Sequence, residues 1–155
     1  MTGPRSYYRV ICENRKARHD YNIEQRLEAG ICLRGTEVKS LRTNKVMIAE
    51  SYVAEQNGEL YLINAHIPEY VEANRFNHSA KRPRKLLLHK RELRKLVGAI
   101  TTKGKTIIPL KLYFNNKNIA KVEIAVGTGK KKYDKRQALK EKDLNREKQR
   151  LLKSE

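Results

Sequence analysis

The segment Gly127-Thr128-Gly129-Lys130 comes nearest to a catalytic motif, because a glycine-rich turn followed by lysine can hold the phosphates of a nucleotide. A phosphate-binding loop also needs a glycine five positions before Gly129 and a serine or threonine after the lysine. This chain has Ile124 and Lys131 at those positions. The segment therefore predicts no nucleotide-hydrolysing site.

The cysteines, histidines and carboxylates form no recognisable catalytic or metal-binding pattern either. Cys12 and Cys32 are too far apart for a C-x-x-C motif, and no two histidines show the H-x-x-x-H spacing of a zinc site. Cys32 lies between Ile31 and Leu33, which favours a place in the core over a role as nucleophile. Glu37 belongs to no acid–base motif. We expect no catalytic residue, no metal, no other cofactor, and two free thiols in a reduced cytoplasmic protein.

The charge of the chain points instead to a polyanionic partner. Lys and Arg number 35 against 17 Asp and Glu, a net charge of +18. The segment Lys81–Lys95 holds eight basic residues and one acidic residue, residues 129–155 hold eleven against five, and a smaller cluster contains Arg15, Lys16 and Arg18. Clusters this far apart favour an extended nucleic acid held at several places, with an affinity that falls steeply with salt. The alternative is a generic solvated surface.

The length of 155 residues allows one domain with an appendage. No apolar run approaches the ~18 residues that cross a bilayer, and the first eight residues lack the apolar stretch of a signal peptide. We expect a cytoplasmic monomer with no membrane partner. It divides into an N-terminal arm of loose structure (1–13), a barrel (14–128) and a basic C-terminal tail (129–155).

Short strands joined by tight turns make up much of the middle of the chain. Asn57-Gly58 supplies the positive φ of a hairpin turn between the apolar segments 52–54 and 60–63. The stretches 106–114 and 119–126 form a second predicted hairpin, the first of them with the period-2 alternation of a half-buried strand. Because only three short segments look helical, the pattern predicts a mainly β fold, a small antiparallel barrel.

Those three segments show helical spacing or helix-capping residues. The clearest has apolar residues at i, i+3, i+4 and i+7: Leu93, Leu96, Val97 and Ile100. A second helix is predicted between Asp20 and Gly30. Asp20 would cap its start, Ile23 and Leu27 would lie on its apolar side, and Gly30 would end it in a left-handed conformation. The third covers residues 36–42, and all three are short.

The tail after Gly129 differs sharply from the rest in composition. It contains few apolar side chains and neither proline nor a further glycine, but many good helix formers. Alone it cannot bury enough surface to stay ordered, whereas against a polyanion it can fold. We therefore expect the free tail to be disordered and to become helical on its partner.

Several segments of the chain resemble the SsrA-binding protein (small protein B) family. In the order of the family they are 14–21, 28–30, 35–42, 84–88, 110–114 and 129–136. The resemblance extends from about Asn14 to the C-terminus, with small departures at Asn22, where an aromatic residue is common, and at Asn118, where glycine is expected.

The resemblance implies an OB-fold-like antiparallel barrel that binds the tRNA-like domain of transfer-messenger RNA (tmRNA, or SsrA RNA). In that family the protein delivers tmRNA to stalled ribosomes during trans-translation. The tail enters the empty mRNA channel at the decoding centre of 16S rRNA and folds as a helix there. The nascent chain is then tagged and the ribosome is rescued.

The resemblance also implies which barrel residues bind tmRNA. Asn14, Glu28 and Leu87 match family positions that support RNA binding, and Lys85 lies on the same surface. Asn14 can pair with a base edge or ribose hydroxyl, and Glu28 can accept from a base amino group or orient an arginine. The alternative for Glu28 is that it is an exposed residue of the predicted helix with no role in RNA binding. The alternative for Leu87 is that it belongs to the core, and for Leu87 the sequence alone favours this alternative. Four neighbours of Asn14 complete the predicted set. Arg15, Lys16 and Arg18 would contact phosphates, and His19 would stack or form a hydrogen bond.

In the tail the resemblance implies a second, ribosome-binding set of residues. These are Lys130, Lys131, Lys132, Tyr133, Asp134, Lys135, Arg136, Leu151 and Leu152. The lysines would neutralise ribosomal RNA, and Tyr133 would stack on a base of the decoding centre. Leu151 and Leu152 match an apolar pair of the family, or are incidental apolar residues near the end of the chain.

Two other functions stay open from the sequence. One is a general OB-fold or ribosomal RNA-binding protein, which shares the charge and the barrel. The other is an RNA-processing enzyme, which the chain disfavours because it lacks a catalytic constellation.

Overall fold

Seven strands and four helices make up most of the computed structural model, which describes residues 9–43, 45–71, 77–102, 104–129 and 132–153. In chain order they are β1 (Arg9–Glu13), α1 (Arg15–Asp20), β2 (Tyr21–Ile31), α2 (Gly35–Thr43), β3 (Tyr52–Gln56), β4 (Glu59–Ile63), β5 (Arg84–Leu87), α3 (Lys90–Thr101), β6 (Lys105–Phe114), β7 (Ala120–Gly129) and α4 (Lys132–Lys153).

The strands pair in the order β1-β6-β3-β4-β5-β2-β7, and a further pairing between β6 and β7 closes six of them into a ring. Every pairing is antiparallel. β1 pairs with the C-terminal half of β6, outside the ring. The predicted mainly β fold, an antiparallel barrel with short helices, is confirmed. Two of the three predicted short helices correspond to α2 and α3, whereas α1 was not predicted. That the free tail is disordered stays a prediction.

The inward-facing side chains of the strands fill the interior of the ring. In β6 and β7, Ile107 pairs with Val126 and Leu112 pairs with Val122, and all four side chains belong to one buried core. α3 packs against this core through Leu96, which is completely buried. The helix predicted from the apolar spacing around Leu96 is therefore confirmed.

Both predicted hairpins are present, and asparagine has a specific role in each turn. Asn57 and Gly58 have φ angles of 54° and 79° between β3 and β4, and the Gly58 N–H donates to the Glu55 carboxylate at 2.7 Å. Asn118 has a φ of 61° between β6 and β7. Asparagine tolerates this left-handed conformation better than most residues, which explains its place where glycine was expected.

The helix predicted between Asp20 and Gly30 is wrong, because this segment is strand β2. Asp20 ends α1, and β2 pairs with β7 from Tyr21 to Gly30. Ile23 and Leu27 misled the prediction because a spacing of four residues fits both a helix and a strand of period two. The long pairing with β7 decides between them, and that partner is about a hundred residues away in the sequence.

The predicted loose arm is also corrected where the structure describes it. Arg9–Glu13 forms β1, which pairs with residues 111–114 of β6, and residues 1–8 lie outside the described part of the chain. The expectation for Cys32 is wrong as well, because β2 ends at Ile31 and Cys32 is exposed beyond it. The apolar run around Cys32 crosses the end of a strand, where strand alternation no longer decides which side is buried.

A buried ion pair joins α2 to the start of β5. Arg84 donates to the Glu37 carboxylate, and both side chains are completely buried. The other two nitrogens of the Arg84 guanidinium donate to the carbonyls of Ala65 at 2.9 Å and Ala80 at 3.1 Å. Arg84 was counted in the basic cluster Lys81–Lys95, but its burial makes it unavailable to a polyanion.

The charge of Glu37 is maintained by several donors. Burial by itself would raise the pKa of Glu37, but hydrogen bonds from Arg82, the Arg34 backbone N–H and Arg84 outweigh it and lower the pKa. Glu37 is therefore a structural carboxylate that holds α2 on the barrel.

Candidate nucleic-acid interface

Helix α1 begins at Asn14, whose side chain fixes the helix on the barrel. The Asn14 side-chain oxygen accepts from the Ala17 N–H at 3.2 Å, and its amide donates to the Pro109 carbonyl at 3.0 Å. The Asn14 backbone N–H donates to the Leu110 carbonyl at 2.7 Å. Asn14 is only 5% exposed and caps the helix that carries the neighbouring cations. Its predicted contact with a base or ribose stays a prediction.

The two sides of α1 have opposite character. Ala17 packs on Ile108, Leu110 and Ala125, a small cluster separate from the main core. Ile107 and Val126 pair with their side chains directed inward, and the next pair along the strands is Ile108 with Ala125. Because successive side chains of a strand point to opposite faces, Ile108 and Ala125 face outward, and α1 therefore covers the outer face of the barrel. Four of the residues predicted to bind RNA are exposed on α1, and we call them the α1 cluster: Arg15, Lys16, Arg18 and His19.

Within the α1 cluster, Lys16 forms an ion pair with Glu50 in the turn before β3, with 2.8 Å between the charged atoms. The hydrogen bond and the charge of Glu50 raise the pKa of Lys16, so the amine is protonated at neutral pH. Both side chains are exposed, and an exposed pair of this kind exchanges readily with a phosphate because it contributes little stability.

The second group of predicted residues lies on β2 and β5. Gly30 pairs with Leu87, and the Leu87 side chain is 51% exposed on the outer face, so the core position favoured by the sequence is wrong. A Cβ atom at Gly30 would lie 3.2 Å from the Leu87 Cβ, so glycine leaves room for this leucine. Lys85 lies two residues before Leu87 on the same face, 3.7 Å from Glu59.

Glu28 completes this second group, and it lies on strand β2 and not on the predicted helix. Its carboxylate accepts a hydrogen bond from the hydroxyl of Tyr113 on β6. Gly30 follows two residues later on the same strand and brings Leu87 beside it. We call Glu28, Lys85 and Leu87 the β2–β5 group. It offers a fixed carboxylate acceptor and an exposed apolar side chain side by side.

The α1 cluster and the β2–β5 group lie on one outer face but not in one pocket. Glu28 lies seven positions after Tyr21 along β2, a distance of roughly 20 Å at the rise of a strand. Between them, Arg26 and Lys111 both approach Glu123, each with 3.9 Å between charged atoms. The arrangement therefore suits a large ligand that crosses the face, and not a small molecule.

The tail leaves the barrel beside α1, because Gly129 pairs with Tyr21. Lys130 and Lys131 lie outside the described residues. The backbone of residues 132–136, which includes Lys132, Tyr133, Asp134, Lys135 and Arg136, forms the start of α4. Leu151 and Leu152 are exposed on its last turn. The predicted ribosome-binding residues from Lys132 onward are thus distributed along one helix, and the role of the whole set stays a prediction.

Three observations bear on other kinds of function. Burial raises the pKa of Cys12 to about 11, so this thiol is protonated and poorly nucleophilic at neutral pH. Among the described residues, no three His, Cys, Asp or Glu side chains are grouped so that they could hold a metal ion. No helix within the same residues is both long and apolar enough to cross a membrane.

The sequence did not identify Tyr113 as part of the site. Its alternation with Leu112 and Phe114 predicts a place on the solvent side of a half-buried strand. Tyr113 does lie outside the main core that contains Leu112 and Phe114, but the expected exposure is wrong, because Tyr113 is only 7% exposed. Its contact with Glu28 crosses 85 residues of sequence and depends on the register of β6, β7 and β2, which no local pattern shows.

Comparisons with known proteins agree with this geometry. A family model described as SmpB protein matches residues 11–154. The SsrA-binding protein of Bradyrhizobium diazoefficiens is 59% identical over 146 residues, which cover 94% of this chain and 93% of that protein. The SsrA-binding protein of Azorhizobium caulinodans is 56% identical over 144 residues, which cover 93% and 90%.

A solved structure described as "tmRNA-SmpB: a journey to the center of the bacterial ribosome" is 51% identical in sequence to this chain. It superposes with a TM-score of 0.65 and covers 78% of this chain and 85% of its own. The chain therefore belongs to the SmpB protein family.

Proposed function

We propose that this chain is an RNA-binding adaptor of trans-translation. It binds the tRNA-like domain of tmRNA and delivers it to stalled ribosomes. There it places its C-terminal tail in the empty mRNA channel, which allows the nascent chain to be tagged and the ribosome to be rescued. The observation that carries this proposal is a single outer face bearing the α1 cluster and the β2–β5 group, with the tail leaving the barrel at the edge of that face.

The barrel face fits a folded RNA in both of its parts. The cations of α1 meet phosphates, which position an RNA without reading its sequence. About 20 Å away, Glu28 accepts from a base amino group or a ribose hydroxyl, and Leu87 packs against the same nucleotide. Since the two parts are far apart and rigidly connected by β2, they favour an RNA of defined shape over a flexible strand.

The tail contributes a separate contact with the ribosome. Residues 129–155 hold eleven basic and five acidic residues, which suits a channel lined by RNA. The proposed contacts are those of Lys130–Arg136, with Tyr133 stacked on a base, and of the apolar pair Leu151 and Leu152. The protein acts in the cytoplasm as a monomer, without a cofactor, and makes or breaks no covalent bond itself.

A competition experiment tests this function. A labelled transcript of the tRNA-like domain of tmRNA is bound to the full chain and challenged with equal concentrations of unlabelled transcript or of single-stranded RNA of the same length. We expect the single-stranded RNA to compete at least about tenfold less well. Equal competition would contradict the proposal and favour a general RNA-binding protein.

Replacing Tyr113 with phenylalanine tests the role of Glu28. The variant keeps the ring but loses the hydroxyl that holds the carboxylate, so the affinity for the tRNA-like RNA should fall about 3- to 10-fold. The measurement is a binding titration beside Glu28→Gln. If Tyr113→Phe binds as the parent does while Glu28→Gln is impaired, the tyrosine does not position the carboxylate.

Replacing Tyr133 with alanine tests the separation between barrel and tail. Peptide tagging on stalled ribosomes should drop strongly, because the stacking contact is lost, while the affinity for the tRNA-like RNA should stay within about a factor of two. Tagging and binding are measured on the same preparation. Unchanged tagging would remove Tyr133 from the ribosome-binding residues.

A further inference from the structure

A cleft of about 140 Å³ separates α1 from the turn that leads into β3. Ile108 of β6 contributes to its lining, together with the carboxylate residue Asp20 at the end of α1, Tyr21 at the start of β2 and Tyr52 at the start of β3. The exposed ion pair between Lys16 and Glu50 joins its two sides. None of the roles assigned above uses this cleft, although one member of the α1 cluster lines it.

Hydrogen bonds hold both sides of the cleft in place. The backbone N–H and the hydroxyl of Ser51 both donate to the Ile48 carbonyl, at 3.0 and 2.6 Å. The Asn64 amide donates to the Glu50 carbonyl at 3.1 Å. On the opposite side, Asn14 fixes α1. The cleft is therefore formed before a ligand arrives, which reduces the entropy cost of binding.

The groups at the opening are those that bind an unpaired nucleotide. The Tyr52 side chain is 47% exposed, and none of the described residues hydrogen-bonds its hydroxyl. An exposed aromatic ring is the usual stacking platform for a base outside a helix. Lys16 supplies a cation for the phosphate, and Glu50 supplies a carboxylate that can accept from an exocyclic amino group or a ribose hydroxyl.

We propose that this cleft is a subsite for one unpaired nucleotide of the bound RNA. The base stacks on Tyr52, Lys16 exchanges Glu50 for the phosphate, and the released carboxylate accepts a hydrogen bond from the nucleotide. The inference rests on the proposed function, since it requires that RNA covers α1. RNA is favoured over a protein segment because Lys16, which lines the cleft, belongs to the α1 cluster that is assigned to the RNA.

The test compares Tyr52→Ala with Tyr52→Phe in the full chain. Met47→Ala is the matched control, because Met47 lies in the same connection, is 53% exposed and does not line the cleft. We expect the affinity for the transcript of the tRNA-like domain to fall about tenfold in Tyr52→Ala and to stay within about twofold in the other two variants.

A second measurement identifies the nucleotide. 2-Aminopurine is placed at one unpaired position of the transcript at a time, and its fluorescence is followed on binding. One position should be quenched by the parent and by Tyr52→Phe but not by Tyr52→Ala, because stacking on the ring causes the quenching. If the parent binds the transcript, but neither the affinity nor any quenching depends on residue 52, the subsite is refuted while the proposed function stands. If the parent itself does not bind the transcript, the proposed function fails and the subsite with it.

Discussion

The Glu37→Gln variant should lose about 3–5 kcal/mol of unfolding free energy, a large part of the stability of a domain of this size. The substitution removes the negative charge and leaves the Arg84 guanidinium completely buried without a counter-charge. It also weakens the contact with Arg82. Urea unfolding followed by circular dichroism measures the loss. A decrease of less than about 1 kcal/mol would contradict the proposed role of the buried pair.

The contribution of Glu37 to the free energy of unfolding should decrease as the pH falls. Because the folded state lowers the pKa of Glu37, its contribution to stability is present above the ordinary carboxyl pKa of about 4.3 and is lost as the pH falls through the lower folded value. The difference between the parent and Glu37→Gln should therefore be full at pH 7 and shrink below about pH 4. Glu50→Gln is the matched control, since its ion pair with Lys16 is exposed, and its unfolding midpoint should be nearly unchanged.

The variant with Arg15, Lys16 and Arg18 all replaced by glutamine should bind the tRNA-like RNA about 100-fold more weakly at 0.1 M salt. Each of these exposed cations is assigned to a phosphate, and each lost contact also removes released counterions. The slope of log affinity against log salt should therefore decrease by about two to three. Binding titrations at four or five salt concentrations measure both quantities.

A control with the same change of charge separates this face from net charge alone. Lys90, Arg91 and Arg94 belong to the basic cluster Lys81–Lys95, but they are exposed on α3, which packs on the main core through Leu96 and carries no residue of the α1 cluster or the β2–β5 group. Replacing these three with glutamine should weaken binding less than about threefold. Equal losses in the two triple variants would show that total charge, and not the α1 cluster, determines the affinity.

Local patterns in the sequence predict those parts of this fold that depend on neighbouring residues. The turn at Asn57 and the helix around Leu96 are of this kind, because turn chemistry and apolar spacing act over a few residues. β2 was mistaken for a helix because its apolar residues fit both periods, and only the pairing with β7 distinguishes them. β1 was missed for a similar reason, since its partner β6 is about a hundred residues further along the chain.

The candidate site shows the same division between local and long-range information. The α1 cluster is a run of nearby residues that the sequence identifies as a group, although it does not predict the short helix whose exposed side carries them. The local environments of Asn14 and Leu87 could not be predicted, because each depends on a distant contact, with Pro109 for Asn14 and with Gly30 for Leu87. The family resemblance selected these positions, while their burial and contacts required the structure.

The most direct test of the account compares the full chain with a chain that ends at Gly129. Binding of the tRNA-like domain of tmRNA and peptide tagging on ribosomes stalled at the end of a truncated mRNA are measured for both. The account predicts that the dissociation constant changes by less than about twofold, because both groups of RNA-binding residues lie on the barrel, whereas tagging is lost. Loss of RNA binding in the shortened chain, or tagging that persists without the tail, would contradict it.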